Sequence, residues 1–317
     1  MTETLDAATT LDEEPVFFAA GKDTCFGILT RPPRGDREMG FILLGGGGGA
    51  TPSTSTGRNR LHVTMCRRLA AFGYHAFRFD YHGRGESTGT TEHFRLDEPF
   101  LDDLMGAVDH VRAEGLDRYI VSGSCFGART ALAAVGKLEG LTGLALMSPP
   151  LRDFGVSERK TRDWTLKDYL VCLVNPQKVL GGRDKRRGLS YLRFVKLATV
   201  MVTKKVRRRL GGSRAQDAPW LSDRNFLQPL ASLVERGVPV LFIYGLEDDS
   251  YKDWLEARRG KLGKVLEAGE GLIEVKVIPG KVHGFATLGI QDDMLELVGD
   301  WASRHGATSV AAVDRKA

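Results

Sequence analysis

Short runs of β-branched and aromatic residues alternate along this chain with longer stretches in which apolar residues return every three or four positions. The runs predict strands over Val16 to Ala19, Cys25 to Thr30, Phe41 to Leu44, His75 to Phe79, Tyr119 to Ser122, Leu141 to Met147, Val240 to Tyr244 and Ile273 to Ile278. The longer stretches predict helices over Arg58 to Phe72, Glu98 to Glu114, Phe126 to Leu138, Tyr251 to Glu267 and Asp292 to Arg304. Alternation of this kind builds an α/β fold: a mostly parallel sheet, here of eight strands, with helices on both faces. The first two strands have no helix between them and are expected to form an antiparallel edge.

The alternation stops from Leu151 to Asn225. Strand signals are weak there, the pairs Gly181-Gly182 and Gly211-Gly212 punctuate it, and roughly 19 Lys and Arg stand against 7 Asp and Glu. We read 151–225 as a basic, helical cap inserted into a core made of 15–150 and 226–305, with flexible ends at 1–14 and 306–317. The cap carries about +12 of charge. The formal net charge is +5, so the remainder is acidic by about −7.

A chain of 317 residues that is 42% hydrophobic has ample material for one core plus such an insertion. Its apolar runs are much shorter than the roughly 20 residues of a membrane helix, so no membrane partner is expected. Residues 1–14 are rich in Thr, Asp, Glu and Ala and look unlike a secretory leader, which makes a cytoplasmic protein the expectation. The cysteines Cys25, Cys66, Cys125 and Cys172 lie far apart, without CxxC or Cys/His clusters. Free thiols follow, with no structural zinc, no disulfide framework and no cofactor expected.

One of these thiols stands in a chemically suggestive place. The run from Ile120 to Ala128 takes a strand into a helix through Gly123-Ser124-Cys125-Phe126-Gly127, the G-x-C-x-G form of a nucleophile elbow. A helix N-terminus favours thiolate through its dipole and free N–H groups. The rival reading of Cys125 is a small buried residue; Ser124 is one place off the elbow centre. Downstream, the strand ending at Tyr244 runs into Gly245-Leu246-Glu247-Asp248-Asp249, which sets carboxylates at a sheet edge. Asp248 is the preferred acid, with Glu247 and Asp249 as competitors. After the last strand, His283-Gly284 puts an imidazole on a glycine-flanked loop and completes the order nucleophile, acid, histidine. Two N–H groups would serve a developing oxyanion: that of Phe126 and one from the Gly45 to Gly49 run, Gly47 first and Gly46 next. No Gly-Lys-Ser/Thr follows that run, which argues against a phosphate cradle.

The glycine loop, Asp80-Tyr81-His82-Gly83-Arg84-Gly85-Glu86-Ser87, the elbow, Gly245 to Asp248 and His283-Gly284 together resemble, in order and spacing, the α/β-hydrolase superfamily. The resemblance covers the chain outside the cap. Cysteine at the elbow is similar to dienelactone hydrolases, polyhydroxyalkanoate synthases and bile-acid-type acyltransferases, in which a Cys-His-Asp triad occurs. The runs Arg78-Phe79-Asp80-Tyr81 and Leu166-Lys167-Asp168-Tyr169 look like hydrolases associated with exosortase systems. The resemblance implies acyl transfer or thioester hydrolysis through an acyl-cysteine, on an acyl-CoA or acyl-carrier-protein thioester that the basic cap would attract. A carboxylesterase or lactone hydrolase is the alternative, and a non-catalytic binding protein the alternative of another class; a nucleic-acid partner is not expected.

Overall fold

The computed structural model describes residues 11–33, 39–48, 51–91, 95–153, 218, 220–284 and 287–306. The chain divides into two units, residues 1–153 with 218–317, and residues 154–217. The second unit takes in most of the expected cap, which lies outside the described residues, as do Leu166 to Tyr169 and Cys172.

The first unit is built on eight strands: β1 (Asp12–Ala20), β2 (Asp23–Arg31), β3 (Met39–Leu44), β4 (His75–Phe79), β5 (Arg118–Ser124), β6 (Leu141–Met147), β7 (Val240–Gly245) and β8 (Ile273–Ile278). They lie side by side in the order β1-β2-β4-β3-β5-β6-β7-β8. β1 pairs antiparallel with β2, and β2 antiparallel with β4; every other neighbour is parallel. The expected antiparallel edge is therefore present, closed by a two-residue turn at Gly21 and Lys22 in which Gly21 takes φ 59°.

Three strands match their expected bounds. β1 begins earlier, at Asp12, because its first residues, Asp12-Glu13-Glu14-Pro15, are polar or proline, mostly exposed along the sheet edge, and lack the apolar run used to find it. Alternation within the central strands sorts side chains to two cores. In β3, Ile42 and Leu44 face the side covered by α2 (Leu101–Ala113) and α3 (Phe126–Ala134), whereas Phe41 and Leu43 face α1 (Leu61–Ala71) and α7 (Leu288–Gly306). Both faces are covered, so β3 reads as an unbroken apolar run.

Two helical expectations change. The helix expected over Tyr251 to Glu267 is two, α5 (Asp249–Ala257) and α6 (Lys261–Ala268), separated where Gly260 leaves helical geometry at φ −123°, ψ −134°. A further helix, α4 (Gln228–Glu235), follows a π turn at Asp223–Leu227 and buries Leu230 and Leu233. Its start carries Pro229, a residue suited to the first turn but easily read as a breaker. Ser222 N–H donates to Leu151 O at 2.9 Å, and Arg152 forms a two-pronged ion pair with Asp253 while its guanidinium lies 3.6 Å over the Trp220 ring. Residues 151–153 and 220–225, which we assigned by sequence to the cap, thus pack with the core. Among the described residues, no helix is long and apolar enough to cross a membrane.

Candidate active site

β5 hands over to α3 at Cys125, whose backbone sits at φ 48°, ψ −108°. Few side chains tolerate that region, and holding one there costs about 1–3 kcal/mol, so the surrounding packing must impose it. The two flanking glycines explain how. A methyl group on Gly123 would meet the Ala128 nitrogen at 2.6 Å, and one on Gly127 would meet the carbonyl oxygens of Leu44 and Gly45 at 2.6 and 2.7 Å. The elbow closes only because both positions lack a side chain. Cys125 N–H donates to Met147 O at 2.9 Å, which continues the β5–β6 ladder into the turn.

The half-buried Cys125 Sγ lies 3.2 Å from Nε2 of His283. His283 follows β8 on an exposed loop, three residues after the turn at Gly280, and that loop is fastened to the one after β7: Glu247 N–H donates to Gly280 O at 3.0 Å. Asp248 is buried between them. Its carboxylate accepts the main-chain N–H of His283 at 3.0 Å (Oδ1) and 3.2 Å (Oδ2), the N–H of Gly245 at 2.9 Å and the hydroxyl of Ser148 at 2.6 Å. The carboxylate thus holds the histidine loop by its backbone. Its competitors stand elsewhere: Glu247 and Asp249 are exposed, and Asp249 pairs with Lys252 at 3.0 Å.

Ser148 was not singled out in the sequence. It follows β6 directly, has φ 45°, and donates its own N–H to Ile243 O at 2.8 Å, which aims its hydroxyl across to the end of β7. Its signal was available: a polar residue at the C-terminal end of the strand beside the elbow strand, where sites on such sheets gather.

The glycine loop comes to the elbow from β3. Gly46 packs on Ser124 and Cys125: a methyl there would lie 2.8 Å from Ser124 Oγ and 3.5 Å from Cys125 Cβ. Gly47 pairs with Pro52 in a small hairpin. Ser124 itself is buried, with its hydroxyl turned to Gly46. The loop's return leg is held by Asp80, whose Oδ1 accepts Ser55 N–H at 2.5 Å, and by the ring of the buried His62. The Gly83 to Ser87 turn is structural: Ser87 Oγ donates to Asp80 O at 2.8 Å and accepts Phe26 N–H at 2.9 Å. Phe126, the first residue of α3, is fully buried against Tyr81 and Phe100.

A chain with this sheet order, carrying Cys125 at the β5–α3 elbow, Asp248 after β7 and His283 after β8, is similar in fold to many solved structures. An esterase from Pyrococcus furiosus superposes with a TM-score of 0.58 at 16% identity, covering 94% of this chain and 92% of its own. The fold is that of the α/β-hydrolases. An α/β serine hydrolase homologue from Coxiella burnetii gives a TM-score of 0.52 at 16% identity (90% and 96% covered), and a proline iminopeptidase from Mycobacterium smegmatis 0.51 at 17% (93% and 100%). In sequence, residues 59–171 match the α/β-hydrolase family described as serine aminopeptidase, S33. An uncharacterized protein of Salmonella typhimurium, YfhR, is 34% identical over 89 residues, a match spanning 27% of this chain and 29% of that protein. The chain therefore aligns with less than a third of that relative's length. The matching family and the Coxiella burnetii homologue are named for serine, whereas the elbow residue of this chain is Cys125.

Proposed function

We propose that this protein is a hydrolase or acyltransferase of ester-type bonds that works through a covalent acyl-Cys125. The observation that carries the reading is the 3.2 Å approach of His283 Nε2 to Cys125 Sγ at a strained strand-to-helix elbow. In the first half-reaction Nε2 takes the thiol proton and the sulfur attacks the acyl carbonyl carbon, placing negative charge on its oxygen. The C–O or C–S bond to the leaving group then breaks, and the imidazolium returns its proton to the departing alcohol or thiol. In the second half-reaction Nε2 takes a proton from water or an acceptor, whose oxygen, nitrogen or sulfur bonds to the acyl carbon as the C–S bond to Cys125 breaks, and the imidazolium returns its proton to the departing Sγ. Asp248 keeps the histidine loop in place through its main-chain N–H and, as a nearby carboxylate, favours the imidazolium stage.

The names of the similar proteins, esterases and serine hydrolases, favour oxygen esters as substrates. Acyl transfer from an acyl-CoA or acyl-carrier thioester is the second reading, favoured by the roughly 19 Lys and Arg of residues 151–225 and by the fact that an acyl-cysteine is itself an activated thioester. Intact-protein mass spectrometry after mixing with p-nitrophenyl esters and, separately, acyl-CoA thioesters tests both. The wild type should gain one acyl group, and Cys125→Ala none. An acyl adduct or turnover that persists in Cys125→Ala would overturn the proposal. Adducts from acyl-CoA alone would select the thioester reading.

A further inference from the structure

Tyr81 takes no part in the steps above, yet its placement bears on them. Its side chain is fully buried, edge-on to Phe79, Phe100 and Phe126 at ring distances of 5.4, 5.6 and 5.9 Å. Packing alone would be served by phenylalanine, since a buried hydroxyl costs free energy unless it finds a partner. Here it donates to the carbonyl oxygen of Gly45 at 3.1 Å. Burial holds the phenol well above its ordinary pKa, so it stays a donor throughout the working pH range.

The Gly45–Gly46 peptide is trans, and in a planar trans unit the C=O and N–H point in opposite directions. The Gly45 oxygen is turned inward: it meets the Tyr81 hydroxyl and sits where a methyl on Gly127 would touch it at 2.7 Å, beneath the elbow. The Gly46 N–H on the other side of that peptide therefore points away from Tyr81. Gly46 is also the loop residue set against Cys125, whereas Gly47 is paired with Pro52. The next peptide is fixed as well, because Gly46 O accepts the Ser53 N–H at 2.6 Å.

We propose that Tyr81 is a positioning residue for acyl transfer at Cys125: by holding the Gly45 carbonyl it orients the Gly46 N–H as the oxyanion donor that works with the N–H of Phe126. The proposal rests on the reading of Cys125 as the acylated nucleophile, and it replaces Gly47 with Gly46 as the preferred loop donor.

Tyr81→Phe keeps the ring and removes only the donor. Two rates on the same thiol separate positioning from general damage. Alkylation by iodoacetamide is a displacement at carbon that develops no oxyanion, whereas acylation by a p-nitrophenyl ester passes through one. In Tyr81→Phe the alkylation rate and the ester KM should stay within about twofold of wild type, while the acylation rate falls roughly 10- to 100-fold, below the full loss of an oxyanion donor. Fluorotyrosine at position 81, which retains the donor, should restore acylation. Equal acylation in wild type and Tyr81→Phe, or a parallel fall in both rates, would overturn the proposal while leaving the nucleophile reading intact. Acylation that survives Cys125→Ala would overturn that reading and this one with it.

Discussion

Lowering the pH should loosen this protein through one buried imidazole. His62 lies in α1, almost wholly buried, beneath the return leg of the glycine loop with hydrogen bonds to the main chain at Thr54 and Ser55. Burial, helped by the nearby Arg78 guanidinium, pushes its pKa from about 6.5 down to about 4, with the Thr54 and Ser55 contacts and Asp80 opposing. Between those values the unfolded chain binds a proton that the folded chain refuses. The stabilisation is complete above pH 6.5, is lost as pH falls through the window to 4, and changes no further below it. At about 1.4 kcal/mol per pH unit the window is worth roughly 3 kcal/mol. Urea unfolding followed by the fluorescence of the buried Trp254 and Trp301, at pH 7 and pH 4, measures it. Carboxylates titrate in both proteins, so the comparison is with His62→Gln: the wild type should lose roughly 3 kcal/mol more than the variant. The reasoning would be refuted by equal losses in the two proteins.

Two substitutions probe the site's frame. Ser148→Ala removes the 2.6 Å hydrogen bond to Asp248 and should lower stability by about 1.5–3 kcal/mol, the usual range for a bond to a charged group, with acylation of Cys125 slowed about tenfold in stopped-flow measurements; an unchanged rate would sever Ser148 from the site. Gly127→Ala would set a methyl 2.6 Å from Leu44 O, forcing the elbow and the glycine loop apart; melting temperature and acylation should both fall, the latter more than a hundredfold, and a protein that melts and reacts like wild type would show that the elbow can relax.

The positions of the strands and the elbow were legible because each depends on short-range signals. β4, β6 and β8 are continuous apolar or alternating runs, and the glycines around Cys125 announce a turn too tight for side chains. What escaped depends on contacts between distant segments. Ser148 sits in an ordinary Ser-Pro-Pro sequence, and its value arises only when β6 and β7 lie side by side, one hundred residues apart in the chain from its partner Asp248. Tyr81 likewise reads as part of a glycine-rich turn until β3 and β4 pair and bring it under Gly45. The choice of Asp248 over its neighbours could be argued from the loop's position, but the loop alone does not say that its carboxylate would grip the histidine by the main chain. α4 was missed for a local reason, the proline at its start, and the break at Gly260 because the apolar spacing continues across it.

The hydrogen bond between Leu151 and Ser222 has a consequence for how this chain can change over time. With its two stems already clasped, and Arg152 locked between Asp253 and Trp220, the excursion between them begins and ends at one spot on the core. The cost of closing such an excursion grows only with the logarithm of its length, so a version one-eighth as long would differ by only about 2 kcal/mol. Evolution can therefore lengthen, shorten or exchange that piece almost freely, while the elbow, the acid and the histidine stay where the sheet sets them.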